Sequence, residues 1–252
     1  MKFKTDRIAV GLPDIHLDPK DDQLHPSYLA AREYCFDIKP DILVWMGDMG
    51  EFASLSNWNK KKPLIAEGRR YKDDYLAVKD ELYLFCNKLH KTKKYFIIGN
   101  HCRRAQWYVE KNPAMEGHID LVKDLELEAL GITVVPFNEA VQIGQLWWAH
   151  GWYWNRNHAT KTLHDFGDNI VYCHVHHLQQ DTRNIHFARK EQMAQSLGCL
   201  THRYPDYKQS RPTRHQNGFC TVEYNHRGEF QLYPHIIIKG EFSYGGYTWR
   251  GR

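Results

Sequence analysis

The chain reads as an α/β layered fold built around two packed β-sheets. Three observations predict it. Short apolar runs alternate with helix-like stretches through the first half. The second half is mostly strand-like. No Pro/Gly/Ser-rich linker, repeat or low-complexity tract separates the halves, so residues 1–252 read as one domain.

The elements follow in order. Arg7–Leu12 reads as a strand, Ser27–Ile38 as a helix and Asp41–Met46 (DILVWM) as a buried strand. Apolar residues at Tyr75, Leu76, Val78, Leu82, Leu84, Phe85 and Leu89 predict a helix from about Glu67 to Leu89. Lys94–Ile98 is a further strand, followed by irregular chain. A helix near Asp120–Leu130 is then expected, with Gly131 as its stop. Later strands are expected at Ile132–Pro136, Ala140–Ile143, Leu146–Ala149, Asn169–Cys173, Leu178–His186, Gln195–Cys199, Gly218–Tyr224 and Gln231–Ile238. A helix at His158–Phe166 interrupts them.

Composition bounds the function. Hydrophobic residues make up 42% and charged residues 25%, which excludes a disordered chain. The 34 basic and 30 acidic residues leave +4, a balance that admits an anionic substrate without demanding nucleic acid. No apolar run approaches a membrane span, so no membrane partner is expected. The opening MKFKTDRIAVGLPD has no signal-peptide core, which predicts a cytoplasmic location. The six cysteines form no C-x-x-C pair and read as reduced, buried thiols.

Chemistry concentrates at strand ends. Ile8–Leu12 runs into Asp14 and His16, Ile42–Met46 into Asp48, and Tyr95–Ile98 into Asn100 and His101. Leu146–Ala149 runs into His150, and Ile170–Cys173 into His174 and His176. Ligands bind outside the carboxyl ends of strands in such sheets, where loops converge. Asp14/His16 and His174/His176 are spaced i, i+2, which in extended chain points both side chains the same way. Gly47, Gly99 and Gly151 would allow backbone to approach a bound phosphate closely. Two carboxylates, an amide and four histidines, without thiolate, suit Mn, Fe, Zn or Ni better than calcium. Seven ligands exceed one tetrahedral ion and suit a pair of ions. No H-E-x-x-H, P-loop, G-x-S-x-G or G-x-G-x-x-G motif competes.

In this order, D-x-H, G-D, G-N-H, H-G and H-x-H resemble the calcineurin-like metallophosphoesterases over roughly residues 7–177. Gly198-Cys199-Leu200 and Asn217-Gly218-Phe219 are similar to the tails of phosphoesterases common in phage and prophage genomes, which would make the location the cytoplasm of a bacterial host. The resemblance implies a double β-sandwich flanked by helices and two divalent ions, Mn foremost. Asp14, His16 and His176 would hold one ion, and Asn100, His150 and His174 the other. Asp48 would bridge them, and His101 would be a catalytic non-ligand beside the leaving group. Two departures stand out. Cys102 replaces the acid that commonly follows the G-N-H histidine and orients it, which predicts a loosely held His101. Cys173 replaces the glycine before the last motif and reads as a packing residue, with a soft ligand as the other reading.

The function expected is metal-assisted hydrolysis of a phosphoester. A phosphodiester, in nucleic acid (DNA or RNA) or a nucleotide-like molecule, is the first candidate and a phosphomonoester the alternative. A non-catalytic metal-bound scaffold is the rival of another class. Arg103, Arg104 and Asn100 are the candidate substrate-binding residues. Trp152 and Trp154 could flank a substrate, whereas Trp147 and Trp148 read as core. Lys60–Lys62 and Lys91, Lys93 and Lys94 read as solvated faces.

Overall fold

The computed structural model describes residues 3–57, 59, 62–185, 187, 190–202 and 212–251, so Lys60, Lys61 and His186 lie outside the described residues. The first half alternates. It comprises β1 (Arg7–Leu12), α1 (Pro26–Ile38), β2 (Ile42–Trp45), the single turn α2 (Pro63–Ala66), α3 (Tyr71–Lys88), β3 (Lys93–Ile97), α4 (Arg104–Lys111), the short α5 (Leu121–Asp124) and β4 (Ile132–Val135). The second half holds β5 (Ala140–Ile143), β6 (Leu146–Ala149), α6 (His158–Phe166), β7 (Ile170–Tyr172), β8 (Gln179–Ile185) and β9 (Lys190–Ser196). It ends with β10 (Asn217–Tyr224), β11 (Phe230–Ile237), β12 (Glu241–Tyr244) and β13 (Tyr247–Arg250).

Two sheets result. One has the order β11-β10-β1-β2-β3-β4 and the other β5-β6-β7-β9-β8, while β12 and β13 form a separate hairpin. β1 to β4 are parallel, with Ala9 opposite Ile42 and Val44 opposite Tyr95. β6, β7 and β9 are parallel in the second sheet. Parallel neighbours deliver their carboxyl ends to one edge, and the candidate ligands cluster at such ends.

Period-2 alternation assigns each face. Ala9, Val44, Met46 and Ile97 of the first sheet pack against Leu146, Trp148 and Val171 of the second. Val10, Leu12, Leu43, Trp45 and Phe96 point the other way, onto Tyr34 of α1 and Val78, Leu82 and Phe85 of α3. The outer face of the second sheet packs Ile170 and Tyr172 against Leu163 of α6. The layers are therefore helix, sheet, sheet, helix, the flanked double sandwich expected. Gly11 lets the sheets meet: a Cβ there would fall 2.6 Å from the Trp148 ring. Among the described residues, no helix is long and apolar enough to cross a membrane.

Five regions differ from expectation. The helix expected at 67–89 begins at Tyr71, because Gly68 takes a left-handed turn at φ +69. The helix expected at 120–130 lasts only through α5; Glu126 then turns left-handed at φ 55, and both Leu125 and Leu127 reach the core. The chain after Ile98, read as irregular, contains α4. The strand expected at Gln195–Cys199 starts earlier as β9, and Cys199 keeps only an isolated bridge to Asn217. The β12–β13 hairpin was not expected. It turns at Gly245-Gly246 and stacks Trp249 on Phe242, with ring centroids 5.3 Å apart.

Candidate metal centre

Backbone hydrogen bonds stitch the strand ends together. His16 N–H donates to Asp48 O (2.9 Å), Cys173 N–H to His150 O (2.9 Å) and Leu200 N–H to Asp14 O (3.0 Å). The paired ligands converge, but not through extended chain. Asp14, His16, Asp48, His174 and His176 all adopt left-handed backbone, with φ of 37, 50, 47, 79 and 56. The alternating hand curls each loop so that both side chains of a pair face inward.

The glycines make room for ligands. A Cβ on Gly47 would meet His150 Nδ1 at 2.3 Å, and one on Gly99 would meet Asp48 Oδ1 at 2.2 Å. The space expected for a phosphate is here filled by the side chains of neighbouring loops.

Four overlapping groups of potential ligand atoms form among the described residues: Asp14, His16 and His176; Asp48, His150 and His174; Asp14, His150 and Cys173; and His16, Glu51 and His101. The first two adjoin through Asp14, which shares the third group with His150 and Cys173. In the first, His16 Nε2 lies 3.1 Å from His176 Nε2, and Asp14 Oδ1 lies 3.4 Å from the latter and 3.9 Å from the former. In the second, His150 Nε2 lies 3.3 Å from Asp48 Oδ2 and 2.9 Å from Asn100 Oδ1. Ligand atoms about 2.0–2.2 Å from a divalent ion sit roughly 3–3.5 Å from one another, so all of these spacings but the 3.9 Å one between Asp14 and His16 lie close to that range.

Hydrogen bonding supports the same fit. His16 Nδ1 lies 2.7 Å from Glu51 Oε2 and His150 Nδ1 lies 3.0 Å from Met46 O. In the neutral ring Nδ1 donates to these oxygens and Nε2 faces inward, the arrangement that orients metal-binding imidazoles. His16 Nε2 and His176 Nε2, 3.1 Å apart, need a proton or a cation between them. Asp14 Oδ1 is buried and has no hydrogen-bond partner, which a cation would also resolve. Asp48 Oδ1 accepts from His101 N–H (2.7 Å), and Asp14 Oδ2 from His174 N–H (2.9 Å), so both carboxylates are held by backbone.

Electrostatics agree. Burial opposes ionisation of Asp14 and Asp48, yet the facing histidines hold both below the usual carboxylate range. Burial also opposes charge on His150, but Asp48 and Asp14 raise it to about 9. His174 is lowered to about 4 by burial and by the neighbouring His150.

His101 stands beside the ligands, its ring edge-on to that of His16 at 4.5 Å. Its Nδ1 lies 3.0 Å from Glu51 Oε2, and its Nε2 lies 3.1 Å from Arg104 Nη2. Arg104 Nη1 also reaches Glu51 Oε1 at 3.1 Å. Glu51 thus holds His16, His101 and Arg104 at once. The loose His101 expected from Cys102 is not found: Cys102 turns into the helix-side core, where burial pushes its thiol up to about 12. Glu51 escaped the sequence reading because it lies in irregular chain and meets His101 only through the fold. Its place shortly after Asp48 was the one available signal.

The remaining candidates divide. Asn100 joins the second group, and Arg104 joins His101. Arg103 turns along α4, where it pairs with Gln106 and with Glu110 Oε1 (3.3 Å) and covers the Phe137 ring at 5.8 Å. Cys173 backs the centre, its Sγ 3.0 Å from Met46 O and 3.4 Å from His150 Nδ1, the ring atom facing away from Asn100. Trp152 stacks on Phe166 at 5.7 Å and donates to Asn138 O, whereas Trp154 is 80% exposed. Trp148 is fully buried.

No protein-family profile matches the chain. It is 25% identical over 248 residues to the Gene 54 protein of Mycobacterium phage D29, spanning 87% of this chain and 91% of that protein. Among solved structures, Vps29 of Chaetomium thermophilum aligns with 99% of this chain and 100% of its own, at 9% identity and a TM-score of 0.44. The first of these is a phage protein, in line with the phage resemblance of the motifs.

Proposed function

We propose that this protein is a two-metal-dependent phosphoesterase that hydrolyses phosphodiesters in nucleic acid or a nucleotide-like molecule. The observation that carries the reading is the pair of adjoining carboxylate–histidine groups, with His101 beside them and outside both. Asp14, His16 and His176 would hold one divalent ion, and Asn100, His150 and His174 the other, with Asp48 shared; manganese is the first choice of metal. Such ions neutralise phosphoryl oxygens and make a water acidic enough to act as nucleophile near neutral pH.

The chain's own residues supply the rest. Glu51 accepts from Nδ1 of His101, so Nε2 is the atom available to the substrate. In the resting site that Nε2 accepts from Arg104. A proton on Nε2 sets donor against donor, which frees the guanidinium for phosphoryl oxygens and leaves His101 ready to protonate the departing oxygen. The test is a manganese-supplemented assay that compares a chromogenic diester, a chromogenic monoester, single-stranded DNA and duplex DNA. Turnover of none of them would remove the phosphoesterase reading. A monoester hydrolysed with much the highest kcat/KM would replace the diester.

A further inference from the structure

The metal centre lies between two surfaces of opposite character. On the β1 side, a cleft of about 220 Å³ includes His16. Among the described residues its lining carries Asp18, Asp21, Asp80 and Glu81 and no lysine or arginine. Arg69 reaches Asp18 (2.7 Å) and Arg32 reaches Glu81 (2.8 Å), which leaves four carboxylates against two cations there among the described residues. A row of phosphates laid along this cleft would meet like charge.

The other side is different. His177 follows the ligand His176, and its Nδ1 lies 3.2 Å from Nε2 of His158. His215, next to Arg214, sets its ring 4.8 Å from that of His176, and Gln216 N–H donates to His176 O at 2.8 Å. Gln179 Nε2 donates to Arg156 O at 3.1 Å, which ties in the segment that carries Trp154. Three chain segments therefore meet at the His176 side of the centre. Arg156 and Arg214 are exposed there, and neither pairs with an acid among the described residues. Arg103 and Arg104, by contrast, are already engaged by Glu110 and Glu51.

We propose that a single nucleic-acid strand leaves the metal centre across the rim of Trp154, Arg156, His177 and Arg214, and not along the acid-lined cleft beside His16. The proposal rests on the phosphodiesterase reading and names the face that binds the polymer. Arg156 and Arg214 neutralise phosphates flanking the scissile one, and the exposed Trp154 ring offers a face for one base.

The test combines binding with turnover. Anisotropy of a fluorescently labelled, phosphorothioate-protected single strand is measured against salt in the full chain, in Arg156→Ala/Arg214→Ala and in Asp80→Lys. Hydrolysis of unprotected strand and of a small chromogenic diester is followed in parallel. The double variant is expected to bind strand at least about tenfold more weakly and to lower the salt slope by about 1.4, roughly 0.7 per lost phosphate contact. Its kcat/KM on strand should fall far more than on the small diester. Asp80→Lys should change strand affinity less than about twofold. Strand binding indifferent to the double variant, or strengthened several-fold by Asp80→Lys, overturns the proposal even if the small diester is still cleaved. Strand binding that depends on both arginines, with neither substrate hydrolysed, upholds the rim and removes the phosphodiesterase.

Discussion

Glu51 Oε2 lies 3.0 Å from Nδ1 of His101 and couples the loop after β2 to the loop after β3. The same oxygen lies 2.7 Å from Nδ1 of His16. Glu51→Gln should therefore damage two functions together. Loss of a carboxylate behind a metal-binding imidazole lowers metal affinity by about 10–100-fold. With metal restored to saturation, a defect in turnover should persist, because the His101 ring has lost its anchor. Isothermal titration with manganese and saturating-metal kinetics separate the two parts. Full activity at saturating metal would show that Glu51 serves His16 alone.

His101→Ala should keep its metal and lose turnover by roughly 10²-fold or more. The loss should grow as the leaving group becomes more basic and shrink with p-nitrophenolate, which needs little protonation. Metal content and rates belong on one preparation. Intact metal with intact rates would take His101 out of the mechanism.

Elemental analysis of the manganese-loaded protein should count two ions per chain. Asp48→Asn should lose more metal than a change at any other single ligand, because Asp48 would serve both ions. No more than one ion at full loading contradicts the two-ion centre.

Metal uptake should rise with pH. In the metal-free protein Asp48 and Asp14 overcome burial and keep His150 protonated up to about pH 9. This folded-state value lies above the unfolded histidine value of about 6.5. The stabilisation from protonated His150 is therefore complete below that value and is lost as pH climbs through the higher one. Metal must displace this proton, so apparent manganese affinity should increase about tenfold per pH unit or more between about pH 7 and pH 9. Over the same window the EDTA-treated protein should melt at progressively lower temperature. A flat metal affinity there would mean that His150 carries no proton to displace.

Gly99→Ala should destabilise the protein and impair metal binding in one step. The new methyl would fall 2.2 Å from Asp48 Oδ1 and 2.6 Å from Asp48 N, so backbone as well as side chain must move. Overpacking of this kind costs roughly 1–3 kcal/mol. Thermal melts with and without manganese check it. A parent-like melt in both conditions would show that the loop yields freely.

Much of the centre was legible because it is written locally. The apolar runs of β1, β2, β3, β6 and β7 each end in Asp, His or Asn, and strand periodicity places such ends together. What escaped depends on contacts between distant segments. Glu51 belongs to no periodic element. α4 buries Ala105 but otherwise shows an eight-residue pattern too short and too polar to separate from loop. β9 is polar for much of its length although Gln192, Gln195 and Ser196 in it are buried. Trp152 and Trp154 look alike in sequence; only the position of Phe166 decides that the first is packed away and the second left in solvent.

The left-handed backbone at Asp14, His16, Asp48, His174 and His176 sets stability against chemistry. Each of these residues sits where glycine would be at ease, at a cost of order 1 kcal/mol or more. A search that rewarded heat resistance alone would thus drift toward glycine at the very positions that could hold metal, and would return a hardier, inert chain. If the centre does hold metal as proposed, the strained aspartates and histidines are the part of the chain where function and stability pull in opposite directions.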